Sequence, residues 1–154
     1  MKGNGFVFRG LKAVARMCLL SWILLIVPSA NADPPPMVIA HESLQDDVIT
    51  LPMLRAIFSM RLHSLQGERL TVFVLDTRHP DHEAFSKEVL GVFPYQLQNA
   101  WNRVIYSGTG RGPVIVESPQ EMLRRVGQTP GGIGYVGAPV DHPDVRVISM
   151  EAGR

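Results

Sequence analysis

Cysteine is almost missing from this 154-residue chain; only Cys18 is present. One thiol closes no intramolecular disulfide and supplies no thiolate metal cluster. A basic surplus is also missing: 15 Lys and Arg stand against 14 Asp and Glu, so nothing points to a nucleic-acid footprint. The longest apolar stretch, Met17 to Val27, is interrupted only by Ser21 and is 11 residues long. That is well short of the roughly 20 needed to cross a bilayer. The chain has no G-x-S-x-G elbow, no Walker loop and no H-E-x-x-H pair, so the expectation is a non-enzyme with no metal and no cofactor. His79, Asp81, His82, Glu83, Asp141, His142, His41 and Glu42 lack a ligand spacing with a mechanism. No internal repeat and no heptad is present.

What is present begins with a targeting pattern. Lys2, Arg9, Lys12 and Arg16 precede the apolar run, Pro28 breaks it, and Ala30-Asn31-Ala32 follows. This order reads as a secretory signal peptide over 1–32, cleaved after Ala32, so the expected location is the periplasm. Cys18 opens the apolar core rather than following it, which argues against lipidation. Removing the segment takes the only Cys and four basic residues, leaving 11 basic against 14 acidic and a net charge of −3. The remaining 33–154 is one domain by length, with no membrane span expected after cleavage.

Patterning in 33–154 alternates strand and helix signals. Met37 to Ala40 is a short apolar strand. Thr50 caps a helix with Pro52 in its first turn and Leu54, Ile57 and Phe58 on one face. Gln66-Gly67-Glu68 is a turn, and Leu70 to Leu75 is the strongest strand, apolar enough to be covered on both faces. Pro80 to Leu90 is predicted helical and stopped by Gly91. A second helix over Pro94 to Ile105 is predicted to bury Leu97, Trp101, Val104 and Ile105. Ser118-Pro119-Gln120-Glu121 opens another helix as a capping box, burying Met122, Leu123 and Val126. Short strands follow over Val114 to Val116, Ile133 to Val136 and Val145 to Ser149. The fold class is α/β: a mixed sheet flanked by helices.

Several motifs in this order resemble a known family. They are Leu54-Arg55-Ala56-Ile57-Phe58, the strand Leu70 to Leu75 with its polar loop, and Glu83-Ala84-Phe85. Trp101-Asn102-Arg103 with Ser107-Gly108, and Thr129-Pro130-Gly131-Gly132-Ile133-Gly134-Tyr135-Val136, complete the set. The stretch from Ile57 to Val136 resembles the substrate-binding proteins of bacterial phosphate ABC transporters, in the type 2 periplasmic-binding-protein superfamily. It is closest to small single-domain exported members. The resemblance covers about two thirds of 33–154 and implies a single small periplasmic-binding-protein-like lobe. It also implies solute binding, phosphate or another small anion, accessory to transport. Two departures stand out. Full-length phosphate binders carry a Ser-Gly-Thr-Thr cradle where this chain has Thr77-Arg78-His79-Pro80-Asp81-His82-Glu83, and carboxylates at a helix start repel an anion. The length also fits one lobe of a two-lobed family.

The candidate ligand residues are Arg78 and His79 after the strongest strand, Ser107, Thr109 and Arg111 in the S-G-T-G-R-G loop, and Gly131 and Gly132. Ligands gather at strand C-termini in open α/β sheets, and a glycine-rich loop turns N–H groups toward an anion. Each has a plain structural alternative: a solvated loop, a connector and a tight turn. The rival function is a degenerate binding domain that docks on an exported or membrane protein and holds no small ligand.

Overall fold

The computed structural model describes residues 34–45 and 48–151. The signal segment expected over 1–32, with its cleavage point, lies outside the described residues. Met37–His41 forms the first strand (β1), its three middle residues buried. Val48–Thr50 (β2) runs directly into helix α1, Leu51–Phe58. The Thr50 hydroxyl accepts from the Met53 N–H (3.5 Å) and Pro52 occupies the first turn, where no N–H is missed. Leu54, Ile57 and Phe58 are buried, one apolar stripe at helical spacing.

The turn at Gln66-Gly67 joins Ser64–Leu65 (β3) to Glu68–Arg69 (β4). Both turn residues have positive φ, +48° and +87°, the geometry a two-residue hairpin requires. Thr71–Leu75 (β5) follows, with its last four residues buried. Pro80–Ala84 (α2) then widens into a π turn over Phe85–Val89, where the Leu90 N–H reaches back to the Phe85 carbonyl. The single α-helix expected through Leu90 is corrected here. At the widening point the Ser86 hydroxyl donates to the His82 carbonyl (2.7 Å) and competes with the regular ladder.

Helix α3 spans Pro94–Tyr106 and buries Leu97 and Trp101. Ile105, expected in its apolar face, is 49% exposed, and Val104 is half-buried. Val114–Val116 (β6) leads to α4, Pro119–Gly127, whose N-cap Ser118 accepts from Glu121 N–H (3.1 Å). Gly132–Val136 (β7) is wholly buried. The last predicted strand divides into Val145–Val147 (β8) and Ser149–Glu151 (β9). The break falls where the Ile148 N–H turns to the Val38 carbonyl (2.9 Å).

The main sheet has the order β6-β5-β7-β1-β8. β5 is parallel to both neighbours, while β1 runs antiparallel to β7 and β8. Separately, β2 pairs with β9 in parallel. Both faces of the main sheet are covered, as the run over 70–75 requires. On one face Gly134 admits Met122 of α4, whose sulfur lies 2.5 Å from where a Cβ would stand. Side chains alternate along a strand, so the next residue, Tyr135, points to the other face. There its ring stacks on Phe85 at 3.9 Å, with Phe58 at 5.9 Å.

Gly131 provides the sharpest test of this packing. It has φ +72°, and a Cβ there would stand 2.0 Å from the Arg69 carbonyl oxygen, whereas Gly67 (φ +87°) has open space around it. Gly67→Ala should cost about 1–2 kcal/mol for the left-handed backbone alone. Gly131→Ala should cost roughly a further 1–3 kcal/mol from the clash. Urea unfolding of the two variants checks the ranking.

Candidate functional site

Strand direction divides the candidate residues between two ends of the sheet. β5, β6 and β7 run the same way, so Asp76–His79, Glu117–Ser118 and Gly137 share the edge beyond their C-termini. Arg78 and His79 sit there. Gly132 is level with Thr71 at the start of β5, so Gly131 and Gly132 belong to the opposite edge. The loop of Ser107, Thr109 and Arg111 precedes β6. Its Gly110 lies beside the His63 ring, and the His63 carbonyl accepts from Leu70 N–H just before β5. Five strand residues at about 3.3 Å each separate the two edges by roughly 16 Å. No small anion touches both groups at once.

At the C-terminal edge the cation is already engaged. Asp76 Oδ1 accepts from the Arg78 backbone N–H (2.9 Å) and from its Nε (3.0 Å), while Nη2 reaches Oδ2 (3.4 Å). Those hydrogen bonds hold the Asp76 carboxyl below its usual range and push the Arg78 guanidinium up. The pair is solvent-exposed, so it contributes little to stability, but it occupies the guanidinium. His79 caps α2, its Nδ1 accepting from Asp81 N–H (3.1 Å). The Asp81 carboxylate faces Gly137, 3.2 Å from a Cβ built there, and so looks onto the strand ends. Glu83 instead points outward and pairs with Lys87 (2.5 Å). The carboxylate of Asp81 therefore opposes an anion at the start of α2.

At the other edge, Ser107 and Thr109 bond each other through their hydroxyls (2.8 Å), and Arg111 is exposed. Gly131 is buried; its N–H donates to Ser43 Oγ (2.9 Å) and its carbonyl accepts from Thr71 N–H (3.0 Å). Those contacts and the Arg69 carbonyl fill the space beside it, so its glycine serves close backbone approach. Among the described residues no cluster of three His, Cys, Asp or Glu could hold a metal.

Sequence reasoning passed over the buried polar centre, His82 and Tyr135. The Tyr135 hydroxyl accepts from the Leu75 N–H at the end of β5 (3.0 Å) and contacts His82 Nδ1 at 2.6 Å. His82 is fully buried and its Nε2 has no protein partner. Burial holds the imidazole below its usual value of 6.5 and pushes the Tyr135 phenol up. The signal was present in the sequence as a lone Tyr inside G-G-I-G-Y-V and a His four residues before a Ser. Nothing in their spacing joins them, since they stand 53 positions apart.

With this arrangement in view, the solved structures are informative. The fold matches an ABC-type phosphate transport receptor from Vibrio cholerae with a TM-score of 0.59, at 11% identity, over 77% of this chain and 47% of the receptor. It also matches a protein from Clostridium perfringens, assigned as a phosphate ABC transporter substrate-binding protein and solved with bound phosphate. That match has a TM-score of 0.58, at 12% identity, over 75% of this chain and 44% of the other. The chain shares the fold of the matched part of these two proteins. It spans under half the length of either neighbour. No family profile and no curated protein sequence matches it.

The buried pair sets a pH dependence. A histidine whose value is lowered on folding binds its proton more tightly when unfolded. Its stabilising effect is full above about 6.5 and is lost as pH falls from there to the lower value of the folded state. Urea midpoints should therefore fall between about pH 7 and pH 5, and His82→Gln should flatten that slope. Tyr135→Phe leaves the Leu75 N–H and His82 Nδ1 unpaired and should cost about 2–4 kcal/mol at pH 7.

Proposed function

We propose that this chain is an exported, single-lobe solute-binding protein that captures a small anion of the phosphate class, as an accessory to ABC-type uptake. The observation that carries this reading is the fold match to two phosphate-transport receptors, one of them holding phosphate, across three quarters of the chain. Both neighbours are transport proteins, which supports a non-catalytic role. Export rests on the charged, apolar and small-residue order of 1–32. Among the described residues no helix is long and apolar enough to cross a membrane.

A second reading has its own support. The strand-end edge, where α/β folds hold ligands, has its arginine bound by Asp76 and its helix start faced by Asp81. Ile115, on the open edge strand β6, is 64% exposed, and Tyr106, at the end of α3, is 85% exposed. An open strand with an exposed apolar residue is the form that pairs with another chain. On that reading the domain docks on an exported or membrane protein and binds no small molecule.

Thermal unfolding separates the two. With phosphate at about 100 times its dissociation constant, binding adds roughly 2.7 kcal/mol. That should raise the midpoint by several degrees in a domain of this size. Sulfate and small carboxylates serve as comparison anions at equal ionic strength. A rise with phosphate supports solute capture, and no rise with any anion contradicts it in favour of the docking module.

A further inference from the structure

Helices α1 and α3 meet along a cleft of about 260 Å³ that gathers three arginines, Arg55, Arg61 and Arg103. Among the described residues, no carboxylate forms an ion pair with any of them within 4.0 Å; the ion pairs there involve Arg78, Lys87, Arg124 and Arg125. Guanidiniums that line one hollow without a carboxylate repel each other unless water, salt or a ligand anion offsets them.

The arginines are held in place. Arg55 donates Nε to the Leu90 carbonyl (2.6 Å) and lies against Gly91, whose positive φ (+64°) and missing Cβ leave it room. Arg61 donates Nε to Ser59 Oγ (3.0 Å). It is turned there by Met60, a non-glycine residue at φ +60°, with Arg61 N–H closing onto Ala56 O (2.8 Å) and Met60 N–H onto Ile57 O (2.9 Å). That is a Schellman end built without its usual glycine. Arg103 stands on α3 at i+7 from Gln96 and i+3 from the small Ala100, and all three line the cleft. The two helices are fixed to each other by Trp101 Nε1, which donates to the Phe58 carbonyl (2.7 Å).

Charge decides what such a hollow takes. The C-terminal end of α1 contributes about half a negative charge, against three full positive ones. The floor from Val92, Leu97 and Ala100 is apolar. At about 260 Å³ the cleft lies below the usual range for drug-sized ligands, roughly 300–1,000 Å³. Another hollow, of about 160 Å³ near Ser43 and Gln66, is lined by Glu68 and no cation, and does not suit an anion.

We infer that the α1–α3 cleft binds a small phosphate-class dianion, free or as a phosphomonoester, through Arg55, Arg61 and Arg103. The inference rests on the anion-binding function proposed above and moves its site away from the strand ends. Planar guanidiniums match phosphate oxygens in pairs, and the apolar floor accepts the organic part of an ester.

Calorimetric titration of the purified protein with inorganic phosphate and with phenyl phosphate, at constant ionic strength, tests this. Arg61→Gln and Arg103→Gln should each weaken binding about tenfold, one charge-assisted hydrogen bond apiece. Arg78→Gln should leave it within about twofold. Both replaced side chains of the cleft are exposed, so unchanged melting without ligand confirms that the variants fold. Tighter phenyl phosphate assigns the ester, and equal affinity assigns free phosphate. Binding that survives both cleft variants, or that is lost with Arg78→Gln, overturns the site while leaving anion capture intact. No binding of either ligand to the unmodified protein overturns both.

Discussion

The Tyr135 hydroxyl is the contact on which the arrangement of this domain turns. It takes the N–H of Leu75, the last residue of β5, and meets His82 in the first helix after that strand. A strand, a helix and a neighbouring strand are thus joined at one buried atom, while the ring carries the stack on Phe85 and the contact with Phe58. A phenol in this position calls for pairing, because burying an unpaired hydroxyl cancels a large share of what burial of its ring contributes. The chain meets that demand with its own backbone and a histidine.

That solution has a functional consequence. Fixing α2 against the end of β5 leaves Asp81 looking onto Gly137 and His79 closing the helix start. Arg78 then finds Asp76 two residues before it. The region where an open α/β sheet ordinarily offers donors to a ligand has its donors engaged internally. Positive charge without a carboxylate partner collects elsewhere, where α1 ends beside α3 and Trp101 ties one to the other. The fold is shared with phosphate receptors of more than twice the matched length.

Much of the fold was legible in local signals. Thr50 with Pro52, and Ser118 with Pro119, marked two helix starts because capping acts within a few residues. The apolar run at 70–75 marked β5 because burial on both faces leaves no room for alternation. Ile105 misled because its spacing fits the buried stripe, yet α3 ends beside Gly112 at the sheet edge, where no further layer covers it. The π turn was hidden because it depends on a side chain competing with the backbone. The candidate site was legible only as residue types. Arg78 and Arg111 look equivalent in sequence, but strand direction sends them to opposite edges. Arg55 and Arg103 stood out only within the matching motifs and Arg61 not at all, because their meeting depends on how two helices cross.

The central claim is that phosphate-class anions are received between α1 and α3 and not at the strand ends. A nitrogen-15 correlation spectrum recorded during a phosphate titration tests it most directly, since backbone amides report position residue by residue. The account predicts that signals of Ser59, Arg61, Gly91, Gln96 and Arg103 move together with one dissociation constant, while those of Thr77, Arg78 and His79 stay. Movement confined to Thr77, Arg78 and His79 would contradict it.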